Sequence, residues 1–419
     1  MRSLSFKSSS TEQANFVHFV ADIAWFGISL AALSRFLSIF AIRVGASTAE
    51  LSLIAALPGF VLLFSTTASG WWRRRFSGTD KAIRLPSFLF RFVFLLPAFT
   101  PFLPEQWQPL WLIISVSLAA LPQGISNAIF VIMMRESISQ ERFTQLNSRR
   151  SSVMNLTVAI GALAFGMMLE TMPYPHNYQL MFMIAFGFAI MSHWHVTRVH
   201  LLYPDVKIEA EQKTTSEGSV WHSRNFLHVA LAVFITHVAF FSMIMVTPLK
   251  LVNELGAGEG FITTFGFVEL FAGAFGASVA VKVIQRLGSD LTIAVSMIAA
   301  AAATFIIASA TSLAITLPAA FLTGSGWTIA TIGVLNLLAE RTGTDNKTRT
   351  SIAFQQVVAV SIFIGPMIGW LLLDLNLSLS DILIVGTMLR LLAAVLTFVK
   401  PIDMKPLYPA YSHSRGRHG

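Results

Sequence analysis

Residues 198–224 read RVHLLYPDVKIEAEQKTTSEGSVWHSR, the longest polar run in an otherwise apolar chain of 419 residues. The run falls at the midpoint, and the segment just after it repeats the opening of the chain. Asn225-Phe226-Leu227-His228 matches Asn15-Phe16-Val17-His18. A polar linker between two related halves therefore organises the sequence.

Working outward, 54% of the residues are hydrophobic and 12% are charged, where a water-soluble domain carries about 25% charge. So much apolar surface needs lipid as a second solvent. The absence of cysteine excludes disulfides and thiolate metal sites. Residues 1–14 are polar and Ser-rich, without the apolar core of a secretory signal, so the first membrane helix is expected to direct insertion.

Runs of about 20 apolar residues cross roughly 30 Å of hydrocarbon as helices. Six such runs precede the linker, near 16–42, 49–70, 86–104, 109–134, 151–170 and 178–197. Six come after it, near 226–247, 261–282, 291–311, 315–338, 351–373 and 381–400. With the amino terminus inside, 24 of the 29 Lys and Arg fall in cytoplasmic segments, and only Arg43 and Lys250 in outer loops. A wrong span count would erase that bias, so the charges support twelve spans with both termini cytoplasmic. They are spread over loops rather than gathered on one face, which argues against a nucleic-acid partner despite the net charge of +8.

The two halves match further. Val44-Gly45-Ala46 pairs with Leu255-Gly256-Ala257, Arg75 with Arg286 and Gly124 with Gly324. Ser148-Arg149-Arg150-Ser151 pairs with Thr348-Arg349-Thr350-Ser351. The expected organisation is a tail (1–14), a six-helix bundle (15–197), a cytoplasmic linker (198–224), a second six-helix bundle (225–400) and a tail (401–419). Parallel repeats of this kind place a substrate site at their interface near mid-membrane.

Twelve spans, a mid-chain linker and two parallel halves resemble the major facilitator superfamily. The likeness extends to the loop after the second span, Gly70-Trp71-Trp72-Arg73-Arg74-Arg75-Phe76-Ser77-Gly78. Gly70 and Arg75 fit the family's pattern, while Arg74 stands at its Asp position and Ser77 at its second Gly. In the second half Arg286 and Gly288 fit and Gln285 replaces the Asp. In that family these loops latch the cytoplasmic gate, so Gly70, Arg75, Arg286 and Gly288 are the expected gating positions. Ala120 stands where proton-coupled members carry an Arg three residues before Gln123-Gly124, and Gly365-Pro366-Met367-Ile368-Gly369 lies in the eleventh span rather than the fifth. The resemblance implies an all-α membrane protein of two pseudo-symmetric six-helix bundles, moving a small molecule by alternating access. It also implies an inner-membrane location, a monomer, and coupling to a proton or another ion. The alternatives are a lipid-moving member of the same fold and a membrane-embedded enzyme, the latter disfavoured because no acid/base or metal cluster is visible.

Ionisable groups inside the membrane are functional candidates by default. Asp22 in the first span, His237 in the seventh and Glu269 in the eighth meet that description. Gln123 and Asn127 share a face of the fourth span, and Asn336 and Gln355 are polar at related places in the second half. Each has a structural reading too: a paired acid, a bundle histidine, or amides that bridge helices. Arg35 and Arg91 are expected to snorkel toward headgroups, and Arg390 has no evident partner. His193, His195 and His200 cluster at one interface but do not share a helix face, so neither a metal nor a cofactor is expected. No phosphate loop is present, which argues against ATP drive within the chain.

Overall fold

The computed structural model describes residues 2–202, 220–342, 347–375 and 377–398. Most of the expected linker and the whole carboxy-terminal tail lie outside the described residues. The first half contributes α1 (Ser10–Arg43), α2 (Thr48–Arg73), α3 (Thr79–Phe102), α4 (Gln108–Ser137), α5 (Gln140–Thr171) and α6 (His176–Val196). The second begins with α7 (Arg224–Glu254) and a 50-residue helix, Gly260–Ser309. At about 1.5 Å per residue that helix would be far longer than a bilayer is thick. Gly288, at φ 77° and ψ 166°, breaks it into α8 (260–287) and α9 (289–309). α10 (Leu313–Thr342), α11 (Lys347–Asp374) and α12 (Leu379–Phe398) complete the twelve.

Local chemistry explains the irregular points. Ser47 and Glu50 form a reciprocal capping box that starts α2. Pro97 and Pro101 turn the outer part of α3 into 3-10 helix, because proline cannot donate to the α ladder. α1 passes through a π-helical turn at Ala32–Phe36, and α7 ends in another at Lys250–Glu254. Gly45 and Gly256, paired in the sequence repeat, both adopt positive φ just after these helices, at 84° and 68°. A further internal match lies in the loops where gating was expected. Gly78-Thr79-Asp80 and Gly288-Ser289-Asp290 both start a helix after a turn, and Thr79 bonds Glu136 as Ser289 bonds Asn336.

Each half has its own apolar core. In the first, Phe40, Phe94, Leu112 and Phe182 fill one cluster, and Phe19, Ile83, Ile129 and Leu146 another. In the second, Phe226, Val229, Ile293 and Leu337 fill one, and Met243, Leu251, Ile307 and Ile382 another. Between them, Leu62 and Ala120 pack with Ala359 of the second half, and Ala339 joins the Phe19 cluster. The halves meet where α2 and α4 pack on α11, and where α5 packs on α8 and α10. Glycines set these distances, as at Gly59 against the Phe363 backbone. Within the second half, Gly365 and Gly369 of α11 admit α7 at Phe241 and Ser242.

α5 begins eleven residues before the span read from the sequence (140 against 151). Arg150 is consequently on the helix, not in a cytoplasmic loop, and it points into the first half.

Candidate transport site

The central feature joins the two halves. Arg35 of α1 faces Glu269 of α8, with Nη2 3.7 Å from Oε2 and side chains 33% and 25% exposed. Counting residues from the outer ends of α1 and α8 places both groups about 12 Å deep, at matching levels. The expectation that Arg35 snorkels to headgroups is corrected: it turns inward, toward an acid on the other half. The π-helical turn that holds it, Ala32–Phe36, is a local departure of the kind often found at functional sites.

α8 presents Gly266, Glu269 and Gly273 along one stripe. A Cβ at Gly266 would lie 3.4 Å from Arg35 Nη1, and one at Gly273 would meet Asn155 of α5 and Thr328 of α10 at 2.9 Å. Asn155 Nδ2 donates to Thr328 Oγ1 at 3.3 Å, again across the halves. Gly324 of α10 lies directly on the Glu269 backbone, where a Cβ would come within 1.9 Å of the carbonyl oxygen. The small residues thus bring three helices against the acid. Asn155 and Thr328 carried no sequence signal beyond polarity.

His237 of α7 donates from Nδ1 to the Val233 carbonyl at 2.8 Å. Its ring packs edge-on to Trp327 of α10, centroids 5.1 Å apart, and Trp327 stacks on Phe240 at 3.9 Å. Arg390 of α12 lies 5.5 Å from the Phe240 ring. It is 4% exposed and is held by the Ala239 and Ala300 carbonyls and by Thr304. No carboxylate among the described residues pairs with it within 4 Å, although its charge reaches Glu269.

Asp22 does not join this site. Its Oδ1 accepts from Ser192 at 2.6 Å and lies 3.6 Å from Arg91, while Oδ2 lies 3.1 Å from Arg150. Arg91 is 2% exposed and also donates to Ala189, Ser87 and Ser192. Snorkelling is therefore wrong for Arg91 as well: it is spent inside the first half, tying α1, α3, α5 and α6 around one acid.

The expected amides separate. Gln123 and Asn127 are half-buried and bond no described residue. Asn336 lies instead near the carboxy-terminal end of α10, where it accepts from Thr144 of the other half and donates to Ser289 and Glu340. Gln355 is half-buried, and its neighbour Gln356 bridges the halves, donating to Thr67 at 2.9 Å. Arg135 crosses the same end of the bundle, with Nη1 3.2 Å from Thr350 and 3.1 Å from Ser351 and Nη2 3.4 Å from Thr342. Gly70 packs beside Ile352. Arg75 lies over its own Trp71 ring at 3.5 Å, and Arg286 is exposed. Among the described residues Arg135, Thr144 and Ser148, rather than Gly70, Arg75, Arg286 or Gly288, supply hydrogen bonds between the halves there. Among the histidines, His195 meets His18 with Nδ1 atoms 3.0 Å apart and His193 meets Ser87 at 3.1 Å. No group of three metal-ligating side chains occurs among the described residues.

Solved structures of similar architecture include transporters. The chain covers 92% of its length on the E. coli fucose:proton symporter FucP (98% of that chain, TM-score 0.70, 13% identity). It covers 93% on the human organic anion transporter MFSD10 (99% of that chain, TM-score 0.68, 11% identity). It covers 91% on a bacterial homologue of the iron transporter ferroportin in an outward-facing state with soaked iron (97% of that chain, TM-score 0.67, 14% identity). No curated protein matches by sequence. At these identities the likeness establishes the fold alone. The sequence model described as Major Facilitator Superfamily matches residues 15–366. With twelve spans in two separately cored halves, the chain belongs to the major facilitator superfamily of membrane transporters.

Proposed function

We propose that this protein is a secondary transporter that moves a small solute by rocking its two halves about the Arg35–Glu269 level. One observation carries the reading. Each half is packed mainly around its own core, and the halves meet through polar contacts and a limited set of apolar ones such as Phe60 on Phe363, so they can part without unfolding either. The bonds that can be named gather at the cytoplasmic ends and the middle: Arg135 to Thr350 and Ser351, Thr144 to Asn336, and Ser148 and Ser152 to carbonyls of α8. We read this as a state closed to the cytoplasm. The solute would enter from the outer face and meet Arg35, Glu269, Asn155 and Thr328.

In this reading residues 15–197 and 225–400 are the moving bodies, and 198–224 is their cytoplasmic tether. The protein is a monomer in the inner membrane with both termini inside. The three similar structures carry solutes as different as a sugar, an organic anion and iron, so likeness does not choose the solute.

Spin labels test the motion without a known substrate. One pair sits at Ser77 and Leu287 on the cytoplasmic side, the other at Gln106 and Ser312 on the outer side, all exposed. In liposomes the two distance distributions should change in opposite directions between conformers. A single fixed distance for both pairs, across pH and lipid composition, would defeat the proposal.

A further inference from the structure

Resting on that transporter reading, we infer that the Arg35–Glu269 pair is a proton–anion exchange site, and that the solute is a small organic carboxylate carried together with one proton.

The intramembrane arginines differ in how their donors are used. Arg91 makes several hydrogen bonds and Arg390 three. Arg150 reaches both Asp22 and the Phe19 carbonyl. Among the described residues, Arg35 has only its approach to Glu269. Its Nε is buried without a partner, and its one ion pair, at 3.7 Å, is longer than the roughly 2.7–2.9 Å of a formed charge-assisted bond. A guanidinium has five N–H donors in a planar fork that matches a carboxylate. Here that fork is partly open to solvent, at the interface of the halves, and under-used.

The surrounding charge favours an anion. The Asp22, Arg91 and Arg150 cluster keeps a formal charge of +1 but lies 13 residues from Arg35 along α1, about 20 Å away. Arg390 adds a second positive charge with no carboxylate within 4 Å among the described residues. Arg35 and Glu269 cancel each other. A low-dielectric interior with surplus positive charge raises the local concentration of anions.

Glu269 makes the exchange balance. While ionised, it occupies Arg35. When a proton binds one of its oxygens, the ion pair is broken and the fork is released to a carboxylate. The site then holds Arg35⁺, a monoanion and neutral Glu269, with the same net charge of zero as the empty pair. Both forms can be enclosed as the halves close without burying an unpaired charge, which would be the main obstacle to occlusion. The charged groups that reach Glu269 are Arg35 from α1 and Arg390 from α12. α5 and α10 face its stripe with Asn155, Thr328 and glycine, which do not titrate. Among the described residues, Glu269 is thus the one carboxylate that faces Arg35.

The test is binding to the purified full-length protein in detergent, by calorimetry, with lactate, gluconate and benzoate as probes and glucose and choline as controls. These carboxylates stay mainly anionic at about pH 5.5, so a pH effect belongs to the protein. At least one carboxylate should bind, its affinity falling by about tenfold per pH unit once Glu269 is ionised in the free protein, because one proton is then taken up with each anion. Glu269→Gln, neutral at every pH, should bind the same carboxylate with that slope abolished. Arg35→Gln should not bind it. Arg35→Lys keeps the charge without the fork and should bind more weakly with the slope retained.

Binding of glucose or choline but no carboxylate overturns the inference, as does a wild-type slope in Glu269→Gln or unimpaired binding in both Arg35 variants. If the spin-label distances interconvert while no carboxylate binds, transport stands and this inference falls. If carboxylates bind with the expected slope while those distances stay fixed, the site stands and transport falls.

Discussion

Arg150 of α5 reaches across the first half to Asp22 of α1, its Nη1 3.1 Å from Oδ2, while Arg91 of α3 approaches the other carboxylate oxygen at 3.6 Å. The acid is 4% exposed. One carboxylate thus compensates two buried cations and ties together four helices.

Removing that acid should be costly. Asp22→Asn keeps the volume and leaves two guanidiniums without a counter-charge, a loss of about 3–5 kcal/mol. The variant should melt well below wild type in detergent. Asp22→Asn combined with Arg150→Gln should lose less than the sum of the two single changes, because the second removes a charge the first has stranded. Additive losses would show that the two residues are independent.

Gly324→Ala addresses the site from behind. The new Cβ would lie within 1.9 Å of the Glu269 carbonyl oxygen, so α10 must move away from α8. Overpacking of this kind costs about 1–3 kcal/mol, and it displaces Glu269 from Arg35. Lower melting and weaker carboxylate binding are expected together. A variant with wild-type values of both would mean that α8 and α10 are not closely packed here.

Gly288→Ala examines the turn that makes two spans from one helix. At φ 77° and ψ 166° the backbone occupies a region open essentially to glycine alone, and any side chain adds about 1–3 kcal/mol of strain. Thermal unfolding should register that loss. Ser289→Ala, one residue on, should cost less, since it removes only the hydroxyl that receives Asn336.

Topology can be read directly, because the chain has no cysteine of its own. Single cysteines at Ser77, Ser216 and Ser414 should react only with reagent that reaches the cytoplasm, and one at Ser312 only with reagent outside. Labelling of Ser216 from outside would reverse the orientation assigned from the Lys and Arg distribution.

Much of the candidate site was legible as a set of suspects, and little of it as pairs. Glu269 stood out because an acid in an apolar span is expensive. The identity of its partner was recoverable only as a depth. Arg35 precedes the outer end of α1 by about as many residues as Glu269 lies beyond the outer end of α8. The same holds for Asp22 and Arg150, each ten to twelve residues into its helix from the amino-terminal end (22 against 10, 150 against 140). That coincidence was hidden because α5 begins well before its apolar stretch, so Arg150 looked like a loop residue. Asn336 was grouped with the amides of the membrane interior, yet it bonds Thr144, Ser289 and Glu340 near the carboxy-terminal end of α10.

The sequence by itself determined the spans, their number and the likeness between halves. Those properties are local: twenty apolar residues must become a helix in lipid, since no water is present there to satisfy the backbone. A charge bias between loops needs no knowledge of packing either. Only the tertiary structure decided that Arg91 and Arg150 share Asp22, that Arg35 belongs to Glu269, and that Arg390 bonds carbonyls. Side-chain partners depend on how each helix is rotated and on which helix lies beside it. Glycines such as Gly273 and Gly324 set those contacts through close approach, and nothing in the hydropathy of one helix records the face of another.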